Sequence, residues 1–125
     1  RAVLEGICFA LRDSLSILPE LGLAPARLLL TGGGAKNAFI RRLQAEVYGL
    51  PVSTVNREEG PAYGAALLAA VGARAFPDLA TAAARTLTRS PALAPDSQVH
   101  RDYEQSYARF RTAYPAAHPA RAGAA

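Results

Sequence analysis

Three consecutive glycines, Gly32, Gly33 and Gly34, follow the apolar run Leu28-Leu29-Leu30 and precede Lys36 and Asn37. If a strand ends there and a helix begins, bare backbone N–H groups face outward at a helix N-terminus, where the macrodipole favours negative charge. Without side chains a ligand can approach the main chain closely, and positive φ carries no steric cost. The chemistry on offer is anion binding, as in a phosphate cradle. A tight strand-to-helix turn with no ligand is the competing reading. The segment is not a P-loop, because Lys36 is not preceded by glycine and followed by Ser or Thr. Nor is it a dinucleotide fingerprint: no third glycine falls at the required spacing, and Asn56 stands where an acidic residue would end the next strand. Asn37 admits two readings, an amide that donates and accepts toward a base edge or a helix N-cap. Lys36 reads as a solvated cation.

The remaining polar residues offer less. Glu58 and Glu59 precede a helical pattern and read as carboxylates favouring its N-terminus rather than as metal ligands. Asp13, Asp78, Asp96 and Asp102 fall in helices, at helix starts or in loops, and none has the surroundings of a catalytic base. Glu5 reads as a surface or interface carboxylate. His100 and His118, near and in a weakly ordered C-terminal tail, make no metal-ligand spacing with the remote Cys8. No metal site is expected.

The elements that would position the glycines follow from periodicity. Leu4, Cys8, Leu11, Leu15 and Leu18 share one face of a helix over 2–18, which Pro19 and Gly22 end. Residues 27–31 form a buried strand. Phe39, Ile40, Leu43 and Val47 line a helix reaching Gly49, and residues 51–55 give a second strand. A helix over 61–71 follows, with Pro61 in its first turn and Gly64, Ala65 and Ala66 predicted to pack closely on the sheet. Asp78 caps a short helix to about Arg85, and 88–97 is a loop or an extended crossing. Tyr103, Tyr107, Phe110 and Tyr114 form the buried stripe of a last helix. Strand, helix, strand, helix in this order is an α/β pattern.

Composition narrows the classes. One domain fits 125 residues. The net charge of +4 would suit an anionic partner, yet the arginines spread from Arg1 to Arg121 without a clustered stripe, so no nucleic acid is expected. A lone cysteine cannot make an internal disulfide and points to a reducing, cytoplasmic setting. No apolar run has the length to cross a bilayer, so no membrane partner is expected. The chain has no methionine and opens inside a helical pattern, which suggests a piece of a longer protein.

The run from Leu30 to Asn37, with Gln44-Ala45-Glu46-Val47-Tyr48-Gly49-Leu50-Pro51-Val52, resembles the C-terminal domain of the FGGY carbohydrate kinases, most closely the xylulokinases. The resemblance continues through the run from Glu58 to Ala70, back to Arg1-Ala2-Val3-Leu4-Glu5-Gly6-Ile7, and forward to the tyrosine-rich helix ending at Tyr114-Pro115. It implies the C-terminal half of an actin-like ATPase (ribonuclease H-like) fold, a partial domain over 1–115, beyond which the Ala, Pro and Gly composition of 116–125 predicts a flexible tail. It also implies ATP in a cleft between two domains, with Gly33 and Gly34 against the nucleotide and Asn37 reaching the adenine; Gly32 is counted with them as a cofactor-binding candidate. The reaction implied is phosphorylation of D-xylulose with ATP and Mg2+. The base, the metal-side acid and most sugar contacts would lie N-terminal to this region, so this chain alone would bind nucleotide weakly and phosphorylate nothing. Kinases for ribulose, gluconate or glycerol, a non-catalytic nucleotide-sensing or protein-interacting module, and a basic nucleic-acid binder remain as alternatives. A domain-facing surface left exposed would drive dimerisation or aggregation.

Overall fold

The computed structural model describes residues 1–56 and 60–117. Helix α1 spans Ala2–Leu15, strand β1 Leu28–Leu30, helix α2 Ala38–Tyr48 and strand β2 Val52–Thr54. Helices α3 (Gly60–Gly72), α4 (Leu79–Thr86) and α5 (Ser97–Ala117) complete the order.

Strands β1 and β2 run parallel, with Leu28 opposite Val52, Leu29 opposite Ser53 and Leu30 opposite Thr54. They are joined through α2, the βαβ unit that the sequence pattern required. Both strands are shorter than expected, three residues each. The outer edge of β2 is closed by the extended segment after α4. Val52 and Leu93 exchange backbone hydrogen bonds at 3.0 and 2.8 Å, and the Ser90 N–H donates to the Thr54 carbonyl at 2.9 Å. The Asn56 amide clips the same segment, its oxygen accepting from the Thr88 N–H at 3.0 Å. β2 is therefore central, with Val52 and Ser53 both buried, whereas Leu29 of β1 is exposed.

Helices α1, α2 and α5 enclose the core. Cys8, Phe9, Leu43, Val47, Tyr103 and Tyr107 are buried together, with Leu4, Tyr48, Val99 and Phe110 packed against them. The Phe9 ring lies 6.1, 5.9 and 5.4 Å from the rings of Tyr103, Tyr107 and Phe110, tilted to each rather than stacked face to face, as ring quadrupoles prefer. The tyrosine stripe of α5 thus packs as its spacing indicated, although the Tyr114 side chain lies outside the described residues. Burial pushes the Tyr48 hydroxyl up to about 12 and raises the Cys8 thiol, which leaves that cysteine protonated and packed.

Six expectations change. α1 stops at Leu15, not Leu18: Pro19 has no N–H to offer the Leu15 carbonyl, which instead accepts from the Leu18 N–H at 3.1 Å in a tighter turn. Its buried face includes Phe9 rather than Leu11, because α1 carries two apolar stripes and the one formed by Val3, Ile7 and Leu11 is exposed. Phe39 is also exposed, at the uncovered end of α2. Gly64 is not a close-packing position: a Cβ there would meet nothing within 4 Å, Ala65 and Ala66 are exposed, and α3 packs on α4. His100 sits in the first turn of α5, packed on α2, rather than near a loose tail. α5 itself continues past Pro115 to Ala117, since the bond a proline forfeits there falls in a turn that is already ending. The rest of the predicted tail, 118–125, lies outside the described residues, as do Glu58 and Glu59.

Candidate functional site

The glycine turn is built from backbone outward. β1 ends at Leu30, and Gly32 follows with φ +80° and ψ −175°, a conformation open to glycine and strained for other residues. Gly33–Lys36 then form a single 3-10 turn, in which the Ala35 N–H bonds the Gly32 carbonyl at 3.1 Å and the Asn37 N–H bonds that of Gly34 at 3.3 Å. The helix therefore does not start directly on the glycines. Asn37 caps it: its side-chain oxygen accepts from the N–H groups of Phe39 and Ile40 at 2.9 and 3.4 Å.

Beside this turn lies a cleft of about 320 Å³ lined by Leu30, Thr31, Gly32, Ala35, Lys36, Arg41, Thr54 and Val55. It opens at the carboxyl ends of both parallel strands, the place where open α/β sheets take their ligands. Lys36, Arg41, Thr31 and Thr54 are among its lining residues, and the N-terminus of α2 adds its dipole. Gly32 lines the cleft, whereas Gly33, Gly34 and Asn37 are exposed on the turn without lining it.

The space over the glycines is open. A Cβ at Gly32 or Gly33 would meet nothing within 4 Å, and one at Gly34 would touch Ile40 Cγ2 at 3.8 Å, an ordinary contact. Backbone geometry demands glycine at residue 32 alone, since positive φ occurs in this turn there and nowhere else. Neither packing nor φ within the described residues accounts for Gly33 and Gly34.

Sequence reasoning missed Arg41, Thr31 and Thr54. Arg41 carried a usable signal: it lies in the first turn of α2, where a cation opposes the helix dipole, so its presence asked for a reason. Its Nη1 donates to the carbonyls of Ala35 and Lys36 at 2.7 and 2.9 Å. The other carboxylates serve structure. Glu5 accepts from Arg1 Nε at 2.8 Å and from the Tyr103 hydroxyl at 2.9 Å, and the Arg1 bond holds its carboxyl below the usual range. Asp13 accepts from the Tyr107 hydroxyl, and Asp78 and Asp96 cap α4 and α5. Among the described residues no three His, Cys, Asp or Glu side chains come together as a metal site would need. No described helix is long and apolar enough to cross a membrane.

Comparison with known proteins gives the family. Residues 1–73 match the C-terminal domain of the FGGY family of carbohydrate kinases. The chain is 34% identical over 114 residues to the xylulose kinase of Staphylococcus epidermidis, covering 91% of this chain and 23% of that protein. It is 34% identical over 117 residues to the erythritol kinase of Brucella abortus, covering 90% and 22%. The crystal structure of ligand-bound xylulose kinase from Lactobacillus acidophilus superposes with a TM-score of 0.83 at 26% identity, over 97% of this chain and 24% of that one. The chain belongs to the FGGY carbohydrate kinase family, as a partial C-terminal domain of the actin-like ATPase fold. Xylulose kinases stand among its relatives at about a third identity, and it spans about a quarter of their length.

Proposed function

We propose that this chain is the nucleotide-holding part of an ATP-dependent sugar kinase that converts D-xylulose to D-xylulose 5-phosphate. The observation that carries the reading is the open glycine turn at the carboxyl ends of β1 and β2, with glycines at residues 33 and 34 that the fold itself does not require. In this reading the N–H groups of the turn and the Lys36 and Arg41 charges receive the phosphate or ribose end of ATP, and Thr31 and Thr54 border the same cleft. Asn37 keeps its oxygen on the helix cap, so its part in reading adenine is carried by its amide nitrogen, a donor.

The bound nucleotide supplies the phosphoryl group, and the magnesium that accompanies it takes its ligands mainly outside this chain. What these residues contribute is placement: the turn fixes one end of the nucleotide, and phosphoryl transfer depends largely on such positioning and on charge stabilisation. The test has two parts. A fluorescent ADP analogue bound to this chain is displaced by ATP and not by D-xylulose, while the chain alone forms no sugar phosphate. The protein carrying this domain, assayed with D-xylulose, D-ribulose, erythritol and D-gluconate, shows its highest kcat/KM with D-xylulose. Highest kcat/KM with another of the four would reassign the substrate, and a chain that binds no nucleotide would remove the reading altogether. Erythritol is the second candidate, because the erythritol kinase of Brucella abortus is as similar in identity as the xylulose kinase.

A further inference from the structure

In an unbroken α-helix the Phe39 N–H would bond the Ala35 carbonyl and the Ile40 N–H the Lys36 carbonyl, four residues back in each case. Here both N–H groups turn instead to the side-chain oxygen of Asn37. The two carbonyls they relinquish are taken by a single guanidinium nitrogen, Arg41 Nη1, at 2.7 and 2.9 Å. One side chain has replaced the acceptors of a helical turn, and the other has replaced its donors.

We infer that Arg41 is a positioning residue for the nucleotide turn: with Asn37, it holds the Gly33–Lys36 turn apart from α2, beside the cleft that Gly32, Ala35 and Lys36 line. The inference rests on the nucleotide reading given above. The exchange has a structural alternative, in which α2 extends by one turn toward its N-terminus and draws Ala35 and Lys36 into its ladder. Asn37 alone does not prevent this, because an amide oxygen satisfies donors and leaves the two carbonyls open. Arg41 closes them. Among the described residues no carboxylate pairs with Arg41. Its place in the first turn of α2, unfavourable for a cation, is explained by this bond pair and by an anion in the cleft it lines.

The test compares Arg41→Gln and Arg41→Lys with the parent chain. Lysine keeps a charged donor group able to reach both carbonyls, whereas glutamine offers one neutral amide. Amide hydrogen exchange without ligand should change at Phe39 and Ile40 in Arg41→Gln and stay close to the parent in Arg41→Lys. ADP affinity should fall roughly tenfold in Arg41→Gln, the loss expected for two charge-assisted bonds at a partly exposed site, and be largely restored in Arg41→Lys. The melting temperature, set by the α1–α2–α5 core, serves as the control for folding. Unchanged exchange at Phe39 and Ile40 in Arg41→Gln would overturn the positioning role whether or not nucleotide binds. Parent-like ADP affinity in a chain whose exchange has changed would show that the turn's shape does not matter for binding, and would overturn it too. Failure of the parent chain to bind ADP would instead strike the nucleotide reading itself.

Discussion

The imidazole of His100 fills the space that any side chain at residue 49 would need: a Cβ placed on Gly49 would fall 2.5 Å from both Cε1 and Nε2 of that ring. Gly49 also ends α2 in the left-handed region, at φ +68°. The His100 Nδ1–H donates to the Glu46 carbonyl at 2.7 Å, one of the carbonyls that the helix end leaves without a partner. A helix terminus, its glycine and the first turn of α5 are thereby locked in one contact.

Gly49→Ala is accordingly a destabilising change with two separate causes, the left-handed backbone and the displaced ring. Their sum is about 2–4 kcal/mol. Urea unfolding of the variant should show this loss, and His100→Ala in the same background should return the part due to crowding.

Gly33→Ala and Gly34→Ala should behave in the opposite way. With open space over both positions and no positive φ, each variant should keep parental stability to within about 0.5 kcal/mol. Each should nonetheless weaken ADP binding by about tenfold, because the added methyl stands where the ligand approaches the main chain. Calorimetry on the two variants reads both quantities.

The caps of α4 and α5 set part of the acid sensitivity. Backbone N–H groups of Thr81 and of Val99 and Gln98 hold the Asp78 and Asp96 carboxyls below the usual carboxylate range. A lowered folded-state value means the unfolded chain binds the proton more readily. The caps therefore add stability above about pH 4, and that contribution is lost as pH falls through the lowered values. Asp96→Asn keeps a capping oxygen that does not titrate. Its stability relative to the parent should improve from neutral pH to about pH 2, as followed by denaturant melts at each pH.

Val3, Ile7 and Leu11 form an exposed apolar stripe along α1. Self-association of this chain through that face is the expected behaviour in solution. Light scattering should show species larger than 13.1 kDa for the parent and a shift toward that mass for Ile7→Glu. A monomeric parent would remove the expectation.

How much of this was legible before the structure depends on where the information sits. The βαβ order, the Asp78 cap and the Tyr103–Tyr107–Phe110 stripe could be read because each depends on local spacing. The glycine turn was legible as a link from strand to helix, and Asn37 as a choice between cap and ligand. The Asn37 cap is now seen in place, and its amide nitrogen carries the other role only as proposed. Arg41 showed only as a cation out of place in a first helical turn, and its part stayed hidden because its partners are carbonyls, which have no signature in sequence. Nor was the exposure of Leu11 legible: two apolar stripes on α1 look alike until α2 and α5 cover one of them. The Gly64 region misled for a related reason, since small residues at helical spacing suit close packing and an uncovered face equally.

Backbone amide resonances, followed one by one as ATP is added to this chain, report where the nucleotide sits. The largest shifts should fall on Gly32 to Asn37, with smaller ones at Thr31, Arg41 and Thr54, and they should saturate. Shifts confined to other surfaces, or a spectrum that ATP leaves unchanged, would contradict the nucleotide reading.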